Sequence, residues 1–375
     1  MKLAVTTLVF CVTALVALGL VVLYSSTMVQ HGADQVTRQA IWCALGLTIA
    51  AVLAAVDYAR WRRWVWIMYG IAVFLLALVL VPGIGIRVNG ASRWLGFGSV
   101  RLQPSEFAKL ALILLIAWYG ERRARQLMTL RGVVKPGLAV GVMLGLVFLE
   151  PDVGTTVLMA GLALALFLVA GVSWRLVLPA GLSGAAAVGW YVWQDPVRAQ
   201  RIFSWVALEE TKQGTGFQPY QAMLALGSGG WTGLGLGNGR QKMGFVPEHH
   251  TDFIFAVVGE ELGLVGTLLV LFLYVTVLWC GLWIALRARD TFGLLLAMGV
   301  TLLISMQAII NIGVVTSLFP NKGLPLPFIS YGGSSLVVML AAVGLLLSVA
   351  RRAPAPLPQS RNPFLPDEEA VPAGS

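Results

Sequence analysis

Several carboxylates of this chain stand at the ends of long apolar runs, where a charge is costly. They are Glu106, Glu150, Asp152, Asp252, Glu260 and Glu261. An ionisable residue at membrane depth is by default a functional candidate, because the cost of removing it from water must be compensated. A carboxylate there can take the proton of an attacking hydroxyl, which is general base catalysis. Asp252, directly before the run that starts at residue 253, is the candidate base.

Cations occur in the same segments and can serve an anionic leaving group. They are Arg93, Lys109, Arg240, Lys242 and Lys322. Positive charge beside an anionic leaving group stabilises the transition state of a group transfer. The four cations other than Lys109 also have a simpler explanation as solvated loop charges. For Lys109 the simpler explanation is an ion pair with Glu106 on one helix face.

Asp252 and its neighbours allow a structural explanation as well. Thr251 and Asp252 are both good helix N-caps, and spacing alone favours that role. Glu260 and Glu261 lie about 12–13 Å further along a regular helix, with Glu260 about 80° around from Asp252 and Glu261 nearly opposite. Sharing one site with Asp252 therefore requires a broken helix, and a buried polar network is the equal alternative for both glutamates.

The sequence predicts no certain cofactor. His249 and His250 are adjacent, whereas a metal site generally needs three or four converging ligands. A divalent cation, Mg²⁺ or Mn²⁺, bridging Asp252 and an anionic substrate group is chemically reasonable. No dedicated cage for such an ion is evident in the sequence.

The composition requires lipid as part of the solvent of this protein. Of 375 residues, 58% are hydrophobic and 11% are charged, whereas soluble domains carry about 25% charged residues. The net charge of +9 does not indicate nucleic acid, because most Lys and Arg stand in short clusters between apolar runs and set membrane topology.

Ten apolar runs predict an all-α, polytopic membrane protein. They cover about 4–25, 39–56, 64–82, 106–119, 136–150, 154–171, 174–192, 253–286, 292–318 and 332–350. The fourth and fifth runs are short, and the eighth is too long for one straight crossing. Basic clusters in alternate loops place both termini in the cytoplasm. The prediction is one domain, 1–352, with a disordered, proline-rich cytoplasmic tail at 353–375.

The predicted external loops include two of unusual composition. These loops cover about 28–38, 83–105, 150–152, 193–252 and 319–331. Residues 227–239 are rich in glycine, which can let backbone approach a ligand closely. Residues 322–335, which include Ser330 and Ser334, combine prolines with glycines. Irregular backbone of this kind is tolerated at membrane depth only where it is buried in protein or lines a cavity.

Four blocks, in order, closely resemble the SEDS family (shape, elongation, division and sporulation), which includes FtsW and RodA. They are QPSEFAK at 103–109, EPDVGT at 150–155, GFVPEHHTDFIFAVVGEELG at 244–263 and KGLPLPFISYGGSS at 322–335. The resemblance extends over about residues 5–350. KGLPLP and the GEE at 259–261 are more similar to FtsW than to RodA.

The resemblance implies a peptidoglycan glycosyltransferase of the cytoplasmic membrane, acting on lipid II at the outer face. It implies a class B penicillin-binding protein and other division or elongation proteins as partners, and it matches Asp252 to the family's essential aspartate. We expect inversion, with Asp252 as base for a sugar 4-hydroxyl. The expected substrate contacts are Arg93, Glu106, Lys109, Glu150, Asp152, Arg240, Lys242, His250, Lys322, Ser330 and Ser334.

Two other functions compete with polymerisation. A lipid II flippase should carry charge deep in a central cavity that opens to both sides, whereas these carboxylates are predicted to gather externally. A scaffold that only positions a penicillin-binding protein would not need Asp252 or the irregular 322–335 loop.

Overall fold

The computed structural model describes residues 1–88, 91–97, 100–127, 129–239 and 251–353. Most of them are helical. The elements are α1 Lys2–His31, α2 Asp34–Ala55, a 3₁₀-helix Tyr58–Arg63, α3 Val65–Leu80, β1 Gly85–Val88, β2 Ala91–Phe97, β3 Val100–Leu102, α4 Pro104–Leu127, α5 Leu130–Leu149, α6 Val153–Val169, α7 Trp174–Trp193, α8 Pro196–Val206, α9 Phe217–Ser228, α10 Ile254–Leu286, α11 Thr291–Val315 and α12 Gly333–Arg351. The tail beyond residue 353 lies outside the described residues.

The helix lengths confirm a multi-pass membrane protein. In the described part of the chain, seven helices are long and apolar enough to cross a membrane, namely α1, α2, α5, α7, α10, α11 and α12. The apolar helices α3 and α6 are shorter, with 16 and 17 residues. The predicted count of ten and the cytoplasmic position of both termini stay predictions.

Three predicted boundaries are wrong. The loop expected at 28–38 shrinks to two residues between α1 and α2, and Gly32, at φ +59, follows α1 in the left-handed conformation that glycine adopts without steric cost. The short runs at 106–119 and 136–150 belong to helices of 24 and 20 residues, since charged turns extend the helices beyond the apolar stretches.

The all-α prediction is also wrong, because a three-stranded antiparallel sheet occupies the loop between α3 and α4. Ile86 pairs with Trp94, and Leu95 pairs with Leu102. Alternate residues of a strand share a face, so Arg93 shares one with Leu95, which is buried. The strands are short and contain charged residues among apolar ones. A search of the sequence for long apolar helices therefore assigns them to a loop. We call the end of the bundle that carries this sheet the sheet end.

The long helix α10, which exceeds the length of one straight crossing, is broken at Gly263. Gly263 adopts φ +68 and ψ −163, a region that is essentially restricted to glycine. Residues 254–262 form a short helix before the break, and residues 264–286 can make one crossing. The break lies beyond Glu260 and Glu261, so it does not change their helical separation from the start of α10.

The core lies among α4, α10, α11 and α12, whose inward faces are buried. α7 is peripheral, since Val177 is its only buried residue. This weak packing of α7 leaves a groove between it and its neighbours α5 and α6.

Candidate functional site

Asp252 lies against the 322–335 loop, in the turn before α10. Its carboxylate touches Gly323 so closely that a β-carbon on Gly323 would collide with Asp252 Oδ2. Glycine is therefore required at 323 for this arrangement, and the loop and Asp252 form one site although they lie far apart in the sequence.

Asn311 of α11 ties Asp252 to the same loop. Its Nδ2 donates to the Asp252 carbonyl at 2.8 Å and to the Leu324 carbonyl at 2.7 Å. Asn311 is buried, so loss of these bonds would leave two carbonyls without a donor in a dry environment. Sequence reasoning missed this residue, since an uncharged amide inside an apolar run gave no signal beyond its polarity.

Ser330 holds the loop in its shape. Its hydroxyl donates to the Thr251 carbonyl and accepts from the Leu326 N–H at 2.7 Å. Between them Phe328 adopts φ +68, an unfavourable conformation for a residue with a β-carbon. Side-chain hydrogen bonds thus hold a strained segment beside Asp252. Ser334 is buried in the first turn of α12.

Lys109 is fully buried, and it belongs to a series of hydrogen-bonded side chains that extends to the 322–335 loop. Its Nζ lies 2.8 Å from Glu106 Oε2 and donates to Gln307 Oε1 at 2.8 Å. Gln307 Nε2 in turn donates to the Pro325 carbonyl at 2.9 Å. With an exposure of 0%, Lys109 is placed to support the loop, and direct contact with a substrate stays a prediction.

Replacing Lys109 by methionine should destabilise the protein by about 3–5 kcal/mol, because it leaves the Glu106 carboxylate buried and unpaired. The measurement is thermal or denaturant unfolding of the purified protein in lipid nanodiscs. The double variant Lys109→Met/Glu106→Gln should recover part of the loss. If Lys109→Met alone unfolds like the wild type, the buried ion pair is not formed.

Arg93 connects the sheet to the turn between α5 and α6. Its Nη2 donates to the Pro151 carbonyl at 2.6 Å and its Nε to the Glu150 carbonyl at 3.4 Å. Its Nε lies 3.9 Å from Asp152 Oδ2. Asp152 also caps α6 by accepting from the Thr155 N–H and hydroxyl at 3.1 and 2.9 Å. The block at 150–155 thus forms a turn that is held by hydrogen bonds from Arg93 and by the Asp152 cap.

Glu150 has an exposure of 0%, and its carboxyl oxygens have no hydrogen-bond partner among the described residues. Burial, reinforced by the neighbouring Asp152 carboxylate, raises the pKa of Glu150 to about 8, although Arg93 opposes the shift. Burial lowers the pKa of the Lys322 ammonium, and Asp152 opposes that change.

A groove of 930 Å³ runs between α5, α6 and α7. Along α5 it extends from Val133 to Phe148, about 22 Å of helix. Glycines 137, 141 and 145 of α5 line it and have no neighbouring atom where a β-carbon would stand. Its mouth at the sheet end is polar and contains Arg93, Asp152, Arg198, Arg201, Lys322 and Gly323. Gly323 both lines this α5–α7 groove and touches Asp252, so the groove leads to the carboxylate.

The glycine-rich segment 227–239 packs against the break of α10. The Leu234 and Gly235 N–H groups donate to the carbonyls of Glu260 and Glu261 at 3.0 and 3.1 Å. The Leu264 N–H donates to the Gly230 carbonyl at 2.9 Å. The glycines thus allow close approach of backbone to backbone.

Glu260 and Glu261 are buried beside this segment. Ser25 of α1 donates its hydroxyl to Glu261 Oε1 and Oε2 at 2.8 and 2.6 Å. The Gly237 N–H donates to the same hydroxyl at 2.9 Å. These contacts join α1, α10 and the glycine-rich segment through the Glu261 carboxylate, and the choice between a structural and a functional role stays open for both glutamates.

Three predicted contact residues, Arg240, Lys242 and His250, lie outside the described residues. In the part of the chain that the structure describes, no group of three or more His, Cys, Asp and Glu side chains could hold a metal ion. A divalent cation bridging Asp252 and the substrate stays a prediction.

A comparison with known protein families identifies the family of this chain. The family model described as "Cell cycle protein", which covers FtsW, RodA and SpoVE, matches residues 5–354. This chain belongs to the FtsW/RodA/SpoVE family. The resemblance seen in the four sequence blocks is thereby confirmed, and the described site takes residues from all four blocks together with α11.

Individual relatives agree. A probable peptidoglycan glycosyltransferase FtsW of Trichlorobacter lovleyi is 39% identical over 350 residues, covering 92% of each chain. Stage V sporulation protein E of Bacillus subtilis is 40% identical over 351 residues, 92% of this chain and 96% of that protein. These relatives support the more FtsW-like character read from the sequence.

Solved structures show the same fold. A chain from a study of a peptidoglycan synthase complex that coordinates polymerisation and crosslinking superposes with a TM-score of 0.79, 32% identity and coverage of 92% and 96%. RodA of Thermus thermophilus superposes with a TM-score of 0.68, 31% identity and coverage of 92% and 95%.

Proposed function

We propose that this protein polymerises peptidoglycan glycan strands from lipid II at the extracytoplasmic face of the cytoplasmic membrane, with Asp252 as general base. The chain is a peptidoglycan glycosyltransferase, as its relatives' names indicate. The substrate, the mechanism and the membrane face are what we propose.

The observation that carries the proposal is the α5–α7 groove, which ends at a charged mouth where Gly323 meets Asp252. A prenyl-diphosphate sugar has matching chemistry, namely a long apolar chain, an anionic link and a polar head. The chain would lie along α5, and the diphosphate would lie at the mouth near Lys322 and Arg93. The sugar would then stand beside Asp252.

The proposed step balances as an inverting displacement. The 4-hydroxyl oxygen of the acceptor sugar bonds to the anomeric carbon of the donor while the bond from that carbon to the lipid diphosphate breaks. Asp252 takes the hydroxyl proton, and the diphosphate leaves with the bonding electrons. Lys322 and Arg93 supply the positive charge that stabilises the departing oxyanion.

The charge pattern supports an extracytoplasmic site. Arg60, Arg62 and Arg63 follow α2, and Arg351 and Arg352 end α12. Each cluster lies at the end of its helix opposite to the sheet end if every span crosses once, and such clusters favour the cytoplasm. The sheet end would then face outward.

The distribution of charge in the groove also favours polymerisation over transport of lipid II. Of the described residues that line it, every charged one stands at the sheet end, whereas the length along α5 is apolar. A flippase would have to carry the diphosphate past that length without a polar partner. Polymerisation at the mouth requires no such passage.

A class B penicillin-binding protein is the partner we propose, in line with the peptidoglycan synthase complex from which the superposing chain comes. Such a partner would supply the transpeptidase that crosslinks the strands. The deciding experiment is polymerisation of purified lipid II by the purified protein in nanodiscs, with and without that partner. Transport of lipid II without glycan strands would support the flippase instead.

Replacing Gly141 by leucine tests the groove. The side chain would enter space that is now open, so we expect the KM for full-length lipid II to rise about tenfold, equivalent to about 1.4 kcal/mol, with kcat little changed. The control Gly70→Leu adds the same side chain to an equally open site on α3, outside the groove. Equal kinetics in both variants would refute groove binding.

A further inference from the structure

The helix α8 joins the ends of two membrane-spanning helices. It starts three residues after the end of α7 at Trp193, which limits the gap to about 10 Å. Near its other end Trp205 Nε1 donates at 2.8 Å to the carbonyl of Ser317, two residues beyond the end of α11. The helix α8 has 11 residues and is about 16 Å long. Because it joins the ends of two membrane-spanning helices, it must lie along the membrane boundary.

The two sides of α8 differ in chemistry. Phe203 and Val206 are 62% and 75% exposed, and they share one face because they are three residues apart. Trp190 and Trp193, on the last turn of α7, are exposed beside it, as expected for aromatic residues at a membrane interface. An amphipathic helix with these features lies in the interface with its apolar face in lipid.

The polar side of α8 faces the mouth of the α5–α7 groove through Arg198 and Arg201. Arg198 is occupied, since its Nε lies 3.2 Å from Asp195 Oδ2 and its guanidinium covers the Tyr191 ring at 3.9 Å. Arg201 is exposed, and its side chain has no hydrogen bond or ion pair among the described residues. Arg201 is therefore the arginine of α8 that is available to bind an anion at the mouth of the groove, which Lys322 also lines.

We propose that α8 is an interfacial helix that forms the lateral entrance of the groove, and that Arg201 binds the diphosphate of a prenyl-linked substrate arriving from the leaflet at the sheet end. Phe203 and Val206 hold the helix at head-group depth, which places the guanidinium at the level of the lipid phosphates. The inference rests on the proposed function for the identity of the substrate, and the depth of α8 can be measured without it.

The depth test uses a nitroxide label at Phe203→Cys or at Arg201→Cys in nanodiscs, with Cys11, Cys43 and Cys280 replaced by alanine. Position 201 lies about 160° around the helix from position 203. We expect the label at 203 to be accessible to oxygen, which partitions into lipid, and the label at 201 to be accessible to a water-soluble nickel chelate. Equal water accessibility at both positions would overturn the interfacial placement.

The binding test uses undecaprenyl diphosphate as the probe, which contains no sugar and cannot be polymerised. Arg201→Gln should weaken its binding about tenfold, equivalent to about 1.4 kcal/mol, because a charge-assisted contact with the diphosphate is lost. The matched control is Arg175→Gln, an arginine at the opposite end of α7.

Unchanged binding by Arg201→Gln, or an equal loss in Arg175→Gln, would refute the role of Arg201. Inorganic pyrophosphate should compete poorly, because it lacks the prenyl chain. Equally strong competition would assign the site to a soluble anion and overturn lateral entry. A protein that binds the probe but does not polymerise lipid II would refute the proposed function and leave this inference standing.

Discussion

Asp252→Asn is expected to abolish glycan strand formation from lipid II while leaving the protein folded. Asparagine has the shape of aspartate but cannot take the proton of the acceptor hydroxyl. Loss of a general base typically costs 10²–10⁴-fold in rate. The measurement is strand length and yield from purified lipid II, with unfolding temperature and partner binding recorded on the same preparation. The neighbouring loop contacts should persist, because Asn311 binds the backbone carbonyl at 252 and not the carboxylate.

The matched control is Asp34→Asn, which makes the same chemical change at an exposed aspartate that pairs with Arg38 on the surface of α2. This variant should polymerise like the wild type. Full activity of Asp252→Asn would show that another group accepts the proton. Loss of folding in Asp252→Asn would show that the carboxylate is structural, which is the helix-cap role that spacing alone favoured.

Gly323→Ala is expected to reduce polymerisation about 10²-fold, since a misplacement of about 1 Å at a catalytic group can cost that much. The added β-carbon would collide with Asp252 Oδ2, so either the carboxylate or the loop must move. The loop has little freedom, because Asn311 holds Leu324 and Gln307 holds Pro325. The measurement is kcat on lipid II, with binding of undecaprenyl diphosphate recorded separately.

The control for this change is Gly70→Ala, which adds a methyl group where no atom lies within 4 Å. It should be active. If Gly323→Ala keeps full kcat, the close contact between the loop and Asp252 is not needed for chemistry. If it loses both binding and activity while unfolding normally, Gly323 acts in the groove and not on Asp252.

Family membership and much of the proposed site could be predicted from the sequence, because the blocks at 103–109, 150–155 and 322–335 are local and contiguous. The small sheet could not be, since strands of three to seven residues carry too weak a pattern beside helices of 20 or more. The full set of contacts of Lys109 could not be predicted from the sequence either. Its partner Glu106 was visible at helical spacing, whereas Gln307 is 198 residues away.

The sequence by itself determined that this is a helical, multi-pass membrane protein, because it contains long apolar runs and an apolar helix satisfies its own backbone hydrogen bonds in lipid. It also determined the family and the candidate base. Only the tertiary structure decided that Gly323 touches Asp252, that Asn311 joins them, and that an apolar groove ends at this point. These features depend on how separate helices pack against one another. Hydropathy records whether a residue prefers lipid or protein to water, and it carries no information about which neighbour the residue meets there.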